Sequence, residues 1–196
     1  FGMFWKNRVG GCLVYNRRTG YGSYEIDALI PNNLGCAYAM WTFFYNETYP
    51  TDPRYNDFLT VEGLHQQGSA EDGYYITRNH EIDIEFPSHL NGGTLSDPSL
   101  SNFKANTWRG ELQNWDVPIG DPAYWEEYRD NLTPVGFDIA DGNYHKLRYD
   151  WYPDRVEFYI DGVLKQTNVN SSAGDTIPDI SGCLLYTSPS PRDRQK

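Results

Sequence analysis

The chain has 196 residues, with 27 acidic and 16 basic side chains and a formal net charge of −11. That acidity argues against a nucleic-acid partner, whose phosphates demand basic patches. No run of about 18 apolar residues offers a membrane span, and the length suits one domain with a substantial core. Strand-like runs recur between turn signals: Gly11–Asn16, Gly22–Ile30, Ala37–Tyr45, Glu81–Phe86, Leu100–Arg109, His145–Trp151 and Arg155–Ile160. Asp161-Gly162 reads as a two-residue hairpin turn joining Val156–Ile160 to Val163–Thr167. The best short-helix pattern is Tyr124–Leu132; no long stretch has a 3.6-residue period and no repeats occur. Aromatics are abundant, at 16 Tyr, 9 Phe and 6 Trp. The pattern is all-β, a sandwich or barrel. Cys12 and Cys36 are equally suited to pairing and to being buried thiols. Three Asn-x-Ser/Thr sites, at Asn46, Asn131 and Asn170, match chance frequency and say nothing about compartment.

The most informative segment is Glu81-Ile82-Asp83-Ile84-Glu85. In a strand alternate side chains share a face, so the three acids point one way and the isoleucines the other. Like charges stacked on one face repel, a cost a strand normally avoids. The outer Cα atoms lie roughly 13 Å apart, and two glutamates leaning together bring their carboxyls to about 5–6 Å. That spacing suits retaining glycoside hydrolysis, in which one carboxylate attacks the sugar and the other serves as acid, then base. These five residues alone also fit the solvated face of an edge strand, or oxygen ligands for a hard cation such as calcium. Crowding would raise the pKa of one carboxyl, as a proton donor to a glycosidic oxygen requires.

Asn79-His80-Glu81-Ile82-Asp83-Ile84-Glu85-Phe86 resembles the catalytic strand of glycoside hydrolase family 16, the lichenase, laminarinase, agarase and carrageenase family, in its form without an extra bulge residue. Gly20-Tyr21-Gly22-Ser23-Tyr24-Glu25-Ile26, running to Ala39-Met40-Trp41, resembles that family's upstream strand pair. Asp141-Gly142-Asn143-Tyr144-His145, Asp150-Trp151-Tyr152-Pro153-Asp154 and Phe158-Tyr159-Ile160-Asp161-Gly162 resemble its late hairpin. The similarity covers about residues 10–182. It implies a jelly roll of two curved antiparallel sheets with a substrate cleft on the concave face. It also implies Glu81 as nucleophile, Glu85 as general acid/base and Asp83 as the helper between them. In Asn102–Trp108 the polar set Asn102, Lys104, Asn106 and Trp108 alternates with Phe103, Ala105 and Thr107. If this strand neighbours the acids, the polar set faces the cleft, with Asn106 and Trp108 on the sugar; the alternative makes Trp108 a cap on the core. Trp41 matches a family tryptophan near the donor subsites, with core packing as its alternative. His145 and Trp151 read as structural, and His80 points away from the acids.

The resemblance implies a polysaccharide partner, a monomer, an extracellular or periplasmic location and no required cofactor; a structural calcium, frequent in the family, cannot be located from these residues. The expected activity is that of a retaining endo-β-glycosidase on a β-1,3 or β-1,3/1,4-glucan. The alternatives are a transglycosylase, a non-catalytic jelly-roll sugar-binding module and a calcium-binding adhesive sandwich. Leu112–Gly136, rich in proline and tryptophan, has no counterpart in the short lichenases and is expected to shape one end of the cleft. Residues 1–182 read as the catalytic domain, incomplete at both ends. Residues 183–196 resemble the translation of a transposase-type sequencing adapter and are expected to add little strand pairing. Without them, 13 basic and 26 acidic residues leave a net of −13.

Overall fold

Period-two alternation becomes two antiparallel sheets in the computed structural model, which describes residues 11–31, 36–55, 64–67, 75–87, 100–109, 132–170 and 177–190. The strands are β1 (Gly11–Thr19), β2 (Gly22–Ala28), β3 (Ala37–Thr48), β4 (Leu64–Gln67), β5 (Tyr75–Pro87) and β6 (Asn102–Arg109). They continue with β7 (Leu132–Pro134), β8 (His145–Trp151), β9 (Arg155–Ile160), β10 (Val163–Val169) and β11 (Gly182–Ser190). The first sheet runs β1-β11-β3-β5-β6-β7, with β4 also paired to β5; the second runs β10-β9-β8-β2. This is the all-β architecture that the alternating runs predict, in the two-sheet form that the resemblance implies. Among the described residues no helix is long and apolar enough to cross a membrane.

The core lies between the sheets. From the first sheet come Tyr38 and Met40 on β3, Ile82, Ile84 and Phe86 on β5, and Phe103 and Ala105 on β6. Leu147, Tyr149 and Trp151 on β8, with Val156, Phe158 and Ile160 on β9, close it from the second sheet. Each large apolar side chain removed from water in this way contributes about 1.5–3 kcal/mol. Ile82, Ile84 and Phe86 are thus what fixes the facing of β5: a one-residue slip would bury the acids in the core and expose the isoleucines. The β9–β10 hairpin turns at Asp161 and Gly162, whose φ values of 51° and 76° are those of a primed turn.

Three expectations need correction. Residues 182–190 form a full strand between β1 and β3, because Leu184 and Tyr186 alternate inward onto the core while Cys183 and Leu185 point outward. An apolar residue at every second position suffices to seat a strand whatever its origin. The seat is close: a Cβ on Gly182 would lie 2.8 Å from the Phe43 carbonyl group, so only glycine fits there. Cys12 and Cys36 do not pair with each other, and Cys12 is exposed rather than buried; β11 intervenes between β1 and β3, holding the two cysteines apart. The strand expected from Leu100 starts at Asn102, since Leu100 is buried and its backbone N–H donates to Asp138 Oδ1 at 2.9 Å instead of to a neighbouring strand. Residues 124–131 of the short-helix pattern, Asn131 among them, and most of Leu112–Gly136 lie outside the described residues; Leu132, the pattern's last residue, opens strand β7 instead.

Candidate active site

Strand β5 is flanked by β3 and β6, so each acid has a named neighbour on either side. Phe43 and Trp108 pair with Glu81, Trp41 and Asn106 with Asp83, and Ala39 and Lys104 with Glu85. Directly paired residues share a face. Trp41, Asn106 and Trp108 therefore stand on the acids' face, as does the polar set of β6, while Phe103, Ala105 and Thr107 turn to the core side. The alternative of Trp108 as a core cap is removed by its indole: Nε1 donates to Asp83 Oδ2 at 2.9 Å.

This face is desolvated. Glu81 is half-buried, whereas Asp83 and Glu85 are 1% and 3% exposed. Lys104 and Asn106 are buried with them. Carboxylates removed from water in this way are costly unless hydrogen-bonded or matched by charge. The Trp108 bond and the lysine opposite Glu85 supply part of that match.

One feature escaped the sequence reading. Trp41, Phe43 and Tyr45 occupy alternate positions on β3 and form an aromatic row beside the acids. The Trp41 and Phe43 rings are 5.2 Å apart, and Phe43 and Tyr45 stack at 6.0 Å with their planes 5° apart. The signal was a period-two aromatic pattern in Trp41-Thr42-Phe43-Phe44-Tyr45. Trp41 Nε1 is buried without an acceptor among the described residues.

The residues read as structural behave so. His80 lies on the opposite side of β5 from the acids, edge-on to Phe44, and accepts the Asp179 backbone N–H at 3.4 Å. Arg109 Nη2 reaches Asp179 Oδ2 at 2.8 Å, tying the segment before β11 to β6. Trp151 donates to the Pro178 carbonyl at 2.8 Å. His145 sits between two carboxylates, with Nδ1 2.7 Å from Asp161 Oδ2 and Nε2 3.1 Å from Asp141 Oδ1. Burial pushes its pKa down, but the two hydrogen bonds outweigh burial and hold it above the ordinary value. Among the described residues no group of three or more His, Cys, Asp or Glu side chains is arranged to hold a metal ion.

Residues 64–195 match the family model for glycosyl hydrolases family 16. The chain belongs to that family. A beta-glucanase of Bacillus licheniformis is 25% identical over 166 residues, which cover 85% of this chain and 45% of that relative. The chain thus spans less than half the length of the curated relatives it matches. Among solved structures, the kappa-carrageenase of Pseudoalteromonas carrageenovora superposes with a TM-score of 0.54 at 13% identity, covering 95% of this chain and 57% of that one. A Crh5 transglycosylase superposes with a TM-score of 0.53 at 17% identity, covering 94% of this chain and 55% of that one. At these identities the two structures speak for the fold alone.

Proposed function

We propose that this family 16 chain is the core of a retaining endo-β-glycosidase acting on a polysaccharide, with a β-1,3 or β-1,3/1,4-glucan as substrate. The observation that carries the reading is the stack of Glu81, Asp83 and Glu85 on one desolvated strand face beside an aromatic row. Glu81 attacks the anomeric carbon as Glu85 gives its proton to the departing glycosidic oxygen. Water then attacks the same carbon, Glu85 takes a proton from it, and Glu81 is released. Asp83 lies between them and shares a proton with Glu81 as its charge is lost and regained. Trp41, Asn106 and Trp108 contact the sugar, whose apolar C–H faces pack on flat rings. The double displacement requires no cofactor. A polymeric substrate places the work outside the cytoplasm, and the protein acts as a monomer.

Glu81→Ala tests the reading. Turnover of barley β-glucan should be abolished and, on an activated aryl β-glycoside, restored by azide with an α-glycosyl azide as product. The small anion fills the space of the lost carboxylate. A β-azide, or a mutant with the parent rate, removes Glu81 from the nucleophile role. A glycosyl acceptor outcompeting water in the parent protein would make the chain a transglycosylase using the same residues.

A further inference from the structure

We infer that Trp108 is a positioning residue that fixes the orientation of the Asp83 carboxyl and decides which of its oxygens exchanges a proton; this rests on the glycosidase reading above. Trp108 pairs in register with Glu81, yet its indole reaches diagonally to Asp83 Oδ2 at 2.9 Å. Both residues are buried, Trp108 at 8% and Asp83 at 1% exposure, so the bond operates away from competing water. An aspartate carboxyl is a roughly two-fold rotor about χ2, so one directional partner is enough to choose its plane. An indole N–H only donates, which holds Oδ2 as the acceptor. The proton that Asp83 shares with a flanking glutamate is thereby assigned to Oδ1. With its N–H engaged by Asp83, Trp108 meets the sugar through its ring surface alone.

Trp108→Phe keeps the ring and deletes the donor. Loss of one oriented bond to a charged group predicts a fall in kcat on barley β-glucan of roughly 10- to 100-fold. KM should stay within about threefold, since the ring surface remains. In an Asp83→Ala background the same substitution should cost less than about twofold, because the group it acts through is gone. Independently of turnover, the Trp108 indole proton should resonate at low field and exchange slowly by NMR, and Asp83→Ala should return it to the ordinary position. A raised KM with unchanged kcat overturns the inference, as does an equal loss in both backgrounds. So does an indole resonance indifferent to Asp83→Ala in a variant that still melts cooperatively. If the parent chain cleaves no glycan, the glycosidase reading falls, and the resonance still decides the Trp108–Asp83 pairing.

Discussion

The outer face of the second sheet neutralises its carboxylates strand by strand, whereas the face bearing Glu81, Asp83 and Glu85 buries them. On the former, Lys146 bridges Glu25 at 2.7 Å and Asp27 at 3.5 Å, Arg148 meets Asp150 at 3.3 Å, and Arg155 meets Glu157 at 2.8 Å. The Arg148 guanidinium also lies 4.0 Å from the Tyr159 ring, and the Ser23 hydroxyl donates to Asp150. Acids and bases alternate across the register, Glu25 opposite Arg148 and Asp27 opposite Lys146, so solvent and counter-charge share the load. On the other face the three acids follow one another along a single strand, and the only cation among their direct cross-strand partners is Lys104. Carboxylate count therefore does not separate a solvated surface from a site. Charge balance and desolvation do.

The contrast breaks most visibly at the central acid. Asp83→Asn should lower kcat on barley β-glucan roughly 10- to 100-fold with the thermal transition kept, because a shared proton is lost while the side-chain volume is conserved. Asp150→Asn on the paired face should leave kcat unchanged within about twofold. Equal losses at both positions would mean that the two faces do not differ in function.

A smaller effect, in stability and not in rate, is expected at the start of β8, an inner strand of the second sheet. The raised pKa of His145 means that its charged form stabilises the fold fully below the ordinary histidine value of 6.5, and that this contribution is lost as pH rises through the raised value. Hydrogen bonds from the Asn143 side chain and backbone, then from His145, hold Asp141 down to about 2. Its contribution is therefore present above the ordinary value of 3.8 and is lost as pH falls toward 2. The difference in Tm between the parent and His145→Gln should accordingly be largest between pH 3.8 and 6.5 and shrink on the alkaline side. A difference that grows with pH would show that His145 is held neutral.

The least effect is predicted for Lys146→Ala. Its pairs with Glu25 and Asp27 are exposed and screened, so Tm should move by roughly 2 °C or less, and less still in high salt. A large, salt-independent loss would show that the balanced face contributes to the fold more than exposed ion pairs usually do.

Much of this was legible in the sequence because its information is local. The two isoleucines between three acids determined both the strand and its facing, since a period of two leaves one face apolar. Asp161-Gly162 determined the β9–β10 hairpin, because glycine, and aspartate among the other residues, tolerates the left-handed backbone a tight turn needs. The alternation in Asn102–Trp108 determined which residues would share a face once the strand found a neighbour. Only the tertiary structure decided who that neighbour was: the register that sets Asn106 opposite Asp83, the diagonal reach of Trp108, and the aromatic row of β3 alongside the acids. It likewise decided that residues 182–190 enter the sheet between β1 and β3. These choices depend on pairings between strands distant in the chain, where the gain from burying Ile82, Ile84 and Phe86 against the second sheet selects one register among many with similar local patterns.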